Sequence, residues 1–172
     1  RPKPALPVRG VPLVAHLLAW LRGAGVTEVL LNLHHRADVM QATAERWCPP
    51  DVELCFSREE ELLGTGGGIA KAAPFLRECD PCLVVAGDML CDTDLRSFVR
   101  AHRERGDAAT LLLRTDPRTA RFGSIGIDGE GTVRRIGASF DLGGETASGL
   151  FVGVRALAAR AFDTLDARTG AF

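Results

Sequence analysis

The stretch Pro81–Asp94, PCLVVAGDMLCDTD, decides how this chain is read. Cys82 to Ala86 are small or apolar and run into Gly87 and Asp88. A short apolar run ended by glycine reads as a strand buried on both faces, as in a parallel sheet. In open α/β sheets ligands bind outside the carboxyl ends of the strands. Asp88 therefore stands at that edge, where the backbone leaves the core. Two roles are open to it. It can cap the turn after the strand. It can also hold a divalent metal, because Mg²⁺ takes one or two carboxylates together with substrate oxygens.

Upstream, Gly64-Thr65-Gly66-Gly67-Gly68 forms a dense glycine run ahead of a helix. Glycines let backbone N–H and C=O groups approach a flat or anionic ligand with no Cβ in the way. The run lacks the G-K-[ST] of a Walker A loop. Ile69, Ala72, Ala73 and Leu76 then suggest a short helix interrupted by Pro74. Before the run, Ser57–Glu61 is acidic and polar and reads as a solvated loop. Further upstream the chain reads as a strand at Val52–Phe56, a helix at Ala37–Trp47 and a buried strand at Glu28–Leu33. A helix over Val11–Gly25 carries Val14, Leu17, Leu18 and Leu21 at helical spacing, with His16 and Trp20 as packing or interface residues. Arg1–Pro12 holds prolines at 2, 4, 7 and 12, which stiffen the backbone around Lys3 and set where its ammonium points.

Downstream, Asp92 or Thr93 is the expected cap of a helix over Asp94–Arg105. Ala108–Leu113 is a strand and Asp116–Ala120 a turn. Phe122–Ile127 and Thr132–Ile136 flank Asp128-Gly129-Glu130-Gly131, a hairpin signal. Gly149–Val154 is a strand and Ala156–Leu165 a closing helix. Repeated helix–strand units, a hairpin, then a strand and a helix imply a three-layer α/β/α sandwich, Rossmann-like, with a mostly parallel mixed sheet and a β-hairpin insertion. The first helix has no strand before it, whereas the first strand of a βαβ series usually lies near the sheet centre. The expectation is a single domain over residues 1–172, incomplete at both ends, with roughly 20–25 further residues upstream for a strand plus loop.

Composition narrows the function. The chain has 172 residues, 46% hydrophobic and 25% charged, with a formal net charge of −1. That size suits one domain with a real core, and that charge gives no field for nucleic acid or an anionic membrane. No apolar run approaches the roughly 20 residues of a membrane span. The opening RPKPALPV is not the basic stretch and apolar segment of a secretory leader. Five cysteines without framework spacing fit reduced thiols, so a cytoplasmic location is expected. Cys79 and Cys82 form a lone C-x-x-C that leads into a strand, a weak signal for redox or zinc chemistry.

Four segments, in this order, resemble the sugar-1-phosphate nucleotidyltransferases: Arg1-Pro2-Lys3-Pro4-Ala5-Leu6-Pro7-Val8, Leu63-Gly64-Thr65-Gly66-Gly67, Val85-Ala86-Gly87-Asp88 and Phe122-Gly123-Ser124-Ile125. That family includes mannose- and heptose-1-phosphate guanylyltransferases and N-acetylmuramate 1-phosphate uridylyltransferases. The resemblance implies attack of a sugar phosphate oxygen on the α-phosphorus of an NTP, GTP or UTP, with Mg²⁺ as cofactor. It implies that Lys3 neutralises phosphates and that Asp88 ligates the metal. Gly64, Thr65 and Gly66 would contact the nucleotide, and Gly123 would let the sugar approach the hairpin. Glu145, Thr146 and Ser148 are sugar-contact candidates by position. Such chemistry asks for positioning and charge neutralisation rather than a protein nucleophile. The family's G-x-G-T-R triphosphate loop, its second metal-binding Asp and its E-K-P segment are not in this sequence, so the chain alone is expected to be inactive. A homo-oligomer is left open. Two rival readings remain: a non-catalytic domain binding a nucleotide sugar, and a GT-A glycosyltransferase using Asp92-Thr93-Asp94 as its D-x-D.

Overall fold

A computed structural model describes residues 1–116 and 124–164. After a short 3₁₀ turn at Lys3–Ala5 come β1 (Pro7–Val8), β2 (Val11–Pro12), α1 (Leu13–Gly23), β3 (Glu28–Leu33), α2 (Ala37–Trp47) and β4 (Glu53–Arg58). Next are α3 (Gly64–Leu76), β5 (Cys82–Val85), α4 (Leu95–Arg105) and β6 (Ala109–Arg114). Then β7 (Ile125–Ile127), β8 (Val133–Ile136), β9 (Phe140–Asp141) and β10 (Ala147–Leu157) lead to a 3₁₀ turn at Ala159–Thr164. The expected turn at Asp116–Ala120 falls mostly outside the described residues, as do Phe122 and Gly123.

The fold is mixed α/β with helices on both faces of β3. Val29, Leu31 and Leu33 pack with Val14 and Leu18 of α1 and Met40 and Ala44 of α2. The alternate residue Asn32 turns to α3, its amide nitrogen 2.9 Å from where a Cβ on Gly68 would stand. Successive strand residues point to opposite faces, so this alternation is the three-layer arrangement in miniature. A second cluster joins Ile69, Ala73 and Leu76 of α3 to Cys82 of β5, Leu157 of β10 and Phe162. Cys82 is buried there, and burial pushes its thiol up to about 11.

The sheet pairing corrects one detail of the expectation. Parallel pairing among the described residues is confined to β3 and β4, from Glu28 opposite Glu53 to Leu33 opposite Arg58. The larger sheet runs β5-β10-β7-β8-β9, with β6 also on β10, and its pairs are antiparallel. The reason is β10, 11 residues long, which runs back between β5 and β6 and continues onto β7. Its pairing carries through Ala156 and Leu157, so the helix expected to start at Ala156 is instead strand followed by the 3₁₀ turn. β3 and β5 do not pair with each other. Between them runs a cavity of about 980 Å³, lined by every residue of both strands, by Leu17 and Leu21 of α1 and by Ile69 and Ala72 of α3.

The glycine run is also corrected. The helix does not follow the run but includes it: α3 begins at Gly64, and Gly67 and Gly68 are buried within its first turns. Close packing explains this. A Cβ on Gly68 would meet Asn32 Nδ2 at 2.9 Å and Glu59 Oε1 at 3.0 Å. The helix continues past Pro74 to Leu76. Packing of this helix outweighs the intrinsic cost of glycine in a helix, about 1 kcal/mol each.

Candidate functional site

Lys3 and Asp88 meet although 85 residues separate them, with Nζ 3.3 Å from Oδ2. Their side chains are 77% and 50% exposed. A pair so open to water contributes little to folding, about 0–1 kcal/mol. The pair sets a cation beside a carboxylate at the carboxyl end of β5. The backbone explains the meeting. A Cβ on Gly87 would lie 3.1 Å from Pro4 Cγ, so the proline-stiffened segment rests on the turn that carries Asp88. On the other side, Gly153 has φ +83° and a Cβ there would sit 2.7 Å from Ala86 Cβ. Gly153 lies in a register shift of β10 between Phe151 and Arg155. Bulges commonly re-aim a chain beside active sites, and this one sits against the Ala86–Asp88 turn.

The start of α3 forms the second edge. Gly64 has φ +70°, and Thr65 is exposed. Gly64 and Thr65 line the same cavity as Pro4 and Gly87, so three of the four sequence motifs come together. Glu59 secures this edge. Its Oε1 accepts from Asn32 Nδ2 at 2.8 Å and its Oε2 from the Leu63 N–H at 3.2 Å. His34 Nδ1 lies 3.1 Å from the Glu59 carbonyl. Glu59 is 6% exposed, which corrects its reading as part of a solvated acidic loop. A carboxylate is favoured at a helix N-terminus, where N–H groups lack intrahelical partners. Sequence reasoning missed Asn32; the available signal was a polar residue inside an apolar strand.

The remaining candidates stand on the β7–β10 ribbon. Glu145 accepts from Arg135, Nε to Oε2 at 2.7 Å and Nη2 to Oε1 at 3.3 Å. The same guanidinium donates to Ser124 Oγ at 2.8 Å and to the carbonyls of Ser124 and Gly137. Glu145 is thus held in a structural ion pair. Ser148 is exposed on β10 opposite Gly126, and Thr146 N–H donates to Ile127 O at 2.8 Å. Gly123 lies outside the described residues.

The helix cap is corrected as well. Asp94, not Asp92 or Thr93, caps α4, accepting from the Ser97 hydroxyl at 2.6 Å and the Arg96 N–H at 3.0 Å. The Ser97 bond, with those backbone N–H bonds, holds its carboxyl below the usual carboxylate range. Asp94 is thereby committed to the helix rather than to a D-x-D metal pair. Among the described residues no group of three or more His, Cys, Asp or Glu could hold a metal ion. Asp88 offers a half-exposed carboxylate beside Lys3. That fits Mg²⁺ shared with a phosphate, which needs one or two carboxylates, and does not fit a closed protein cage.

Fold and site together describe an α/β domain with charged groups and an open helix start at the carboxyl ends of its strands. The chain matches the nucleotidyl transferase family over residues 1–137 and belongs to it. It is 37% identical over 134 residues to a mannose-1-phosphate guanylyltransferase of Mycobacterium tuberculosis, covering 77% of this chain and 36% of that protein. It is 30% identical over 144 residues to a UTP–glucose-1-phosphate uridylyltransferase of Synechocystis, covering 77% and 37%. Among solved structures, HddC from Yersinia pseudotuberculosis superposes with a TM-score of 0.80 at 25% identity, covering 99% of this chain and 73% of that one. HddC complexed with GMP-PN gives a TM-score of 0.81 at 24% identity, covering 98% and 73%. The matches span little more than a third of the length of these curated relatives.

Proposed function

We propose that this chain is the nucleotide-handling part of a sugar-1-phosphate nucleotidyltransferase, using GTP or UTP. One observation carries the reading: Pro4 and Gly87, the chain neighbours of the Lys3–Asp88 pair, line one cavity with Gly64 and Thr65 at the start of α3. In the reaction an oxygen of the sugar phosphate bonds to the α-phosphorus of the NTP. The bond from that phosphorus to the bridging oxygen breaks, and pyrophosphate leaves with the electron pair. The names of the relatives support this reaction type, and they leave guanine and uracil both in play.

The residues divide the work. Lys3 neutralises phosphate charge as the nucleotide binds. Asp88 would hold Mg²⁺, which when bound neutralises the charge that builds on the phosphate oxygens. Backbone groups at Gly64, Thr65 and Gly66 read the base edge at the start of α3. Gly123, Glu145 and Ser148 belong to the sugar side, with Glu145 acting there only through its ion pair with Arg135. The cavity between β3 and β5 is the seat of a further apolar strand, whose backbone would pair with both free edges. Its two facing strands and two helix layers support that assignment. A domain expected to be incomplete in this way fits it.

The test is pyrophosphate release with Mg²⁺, each NTP, and hexose, heptose and N-acetyl-sugar 1-phosphates, in the longer polypeptide expected to carry this domain. Release with one pair, lost in Asp88→Ala and Lys3→Ala, is the expected result. Tight binding of a nucleotide sugar with no release from any pair would replace the enzyme with a binding domain.

A further inference from the structure

The charged pair depends on two segments that are far apart in sequence and have little to hold them. Lys3 and Asp88 are both exposed. The Asp88–Asp94 segment lies outside any helix or strand. Something must keep both segments at the spacing that a phosphate and a metal require. The geometry points to α1.

His16 and Trp20 are one helical turn apart on α1, a spacing that places side chains on one face. His16 Nε2 lies 3.1 Å from the carbonyl of Val8, which follows Lys3 along the proline-stiffened segment. A carbonyl only accepts, so Nε2 carries the proton and donates. Trp20 Nε1 donates to the carbonyl of Thr93 at 3.1 Å, in the segment that carries Asp88. The far end of α1 adds a third tie. Arg96 donates to the Gly23 carbonyl at 3.1 Å and the Ala24 carbonyl at 3.2 Å, so the start of α4 is fastened to the C-terminus of α1. Cys91 Sγ and Thr93 Oγ1, 3.1 Å apart, stiffen the segment between Asp88 and the Trp20 contact.

We infer that His16 and Trp20 are positioning residues: α1 acts as a bar whose two side chains set the distance between Lys3 and Asp88. The inference rests on the roles proposed above for Lys3 and Asp88. Packing alone does not account for the two bonds. A Trp buried for its ring would be served by any neighbour, whereas here the indole N–H ends on the main chain of the Asp88 segment. Both bonds go to backbone carbonyls, so they fix the course of the chain rather than one rotamer.

The test combines amide hydrogen exchange with kinetics in the polypeptide carrying this domain. Trp20→Phe keeps a ring and removes the donor. His16→Leu removes the donor, and His16→Gln restores an amide N–H at similar reach. Trp20→Phe is expected to speed exchange in Met89–Thr93 and leave Lys3–Val8 unchanged. His16→Leu is expected to do the reverse, and His16→Gln to return exchange to the wild-type level. Exchange of α1 itself stays slow in all three. In the enzyme assay, the Mg²⁺ and NTP concentrations for half-maximal rate rise about threefold to tenfold for each lost bond, and the KM for the sugar phosphate holds. Unchanged exchange in both segments overturns the inference. So does faster exchange throughout α1, which is the mark of a merely structural role. If the wild-type protein releases no pyrophosphate, the proposed reaction fails, and the exchange pattern still decides whether α1 sets the spacing.

Discussion

Replacing Gly153 with alanine tests the contact that aims the Asp88 turn. Gly153 has φ +83°, and an added Cβ would stand 2.7 Å from Ala86 Cβ and 3.8 Å from Met89 Cγ. Two costs follow. A non-glycine residue in the left-handed region costs about 1–2 kcal/mol. Forcing one methyl into a filled space costs about 1–3 kcal/mol more. The sum is about 2–5 kcal/mol, and at about 2–4 °C per kcal/mol for a chain of this size the melting temperature falls by about 4–20 °C. Circular dichroism melts and urea titrations of the wild-type and Gly153→Ala proteins measure it. The double variant Ala86→Gly/Gly153→Ala separates the two causes. Removing the Ala86 methyl relieves the clash and leaves the backbone strain, so about half of the loss should return as a coupling energy between neighbours. A Gly153→Ala protein that melts within about 1 °C of wild type would refute the reasoning. A double variant with no recovery would assign the whole effect to φ.

Other consequences follow from the same geometry. Gly126→Ala would place a Cβ 1.6 Å from Glu145 Oε2 and must expel that carboxylate from Arg135; the expected cost is about 1–3 kcal/mol by urea titration. Glu59→Ala strips the partners from Asn32 Nδ2 and the Leu63 N–H, and a loss of about 1–3 kcal/mol in thermal melts is expected. It should also weaken NTP binding by calorimetry, because Glu59 seats the start of α3. His102 is buried, with Nδ1 2.8 Å from Thr110 Oγ1, and burial lowers its pKa below 6.5. The unfolded chain then binds the proton more readily than the folded one. The His102 contribution is present above about pH 6.5 and is lost as pH falls toward the lower folded value. His102→Gln should flatten the stability-versus-pH curve in that window, as urea titrations across it would show.

Local pattern was enough for β3, α2 and α4, whose bounds match their apolar periodicity and their stops at Pro49 and Gly106. It was also enough for the Asp128–Gly131 turn, where Asp128 Oδ1 accepts from the N–H groups of Glu130 and Thr132. The glycine run misled because glycine's low helix propensity is a local property. Its use here is to let α3 approach Asn32 and Glu59, two residues that sequence distance hides. Glu59 was one of three consecutive glutamates, and nothing in that run separates the buried one from its exposed neighbours.

By itself, the sequence determined the α/β class, the order of the elements, and the motifs that carry Lys3, Gly64–Thr65 and Asp88, because periodicity, turn chemistry and motif order are written along the chain. Only the tertiary structure decided that Lys3 touches Asp88, that β10 runs antiparallel between β5 and β6, and that His16 and Trp20 tie the two charged segments to α1. Those facts depend on distances across the fold between residues up to 85 positions apart. Such distances come from the packing of whole elements, and no short stretch of residues encodes them.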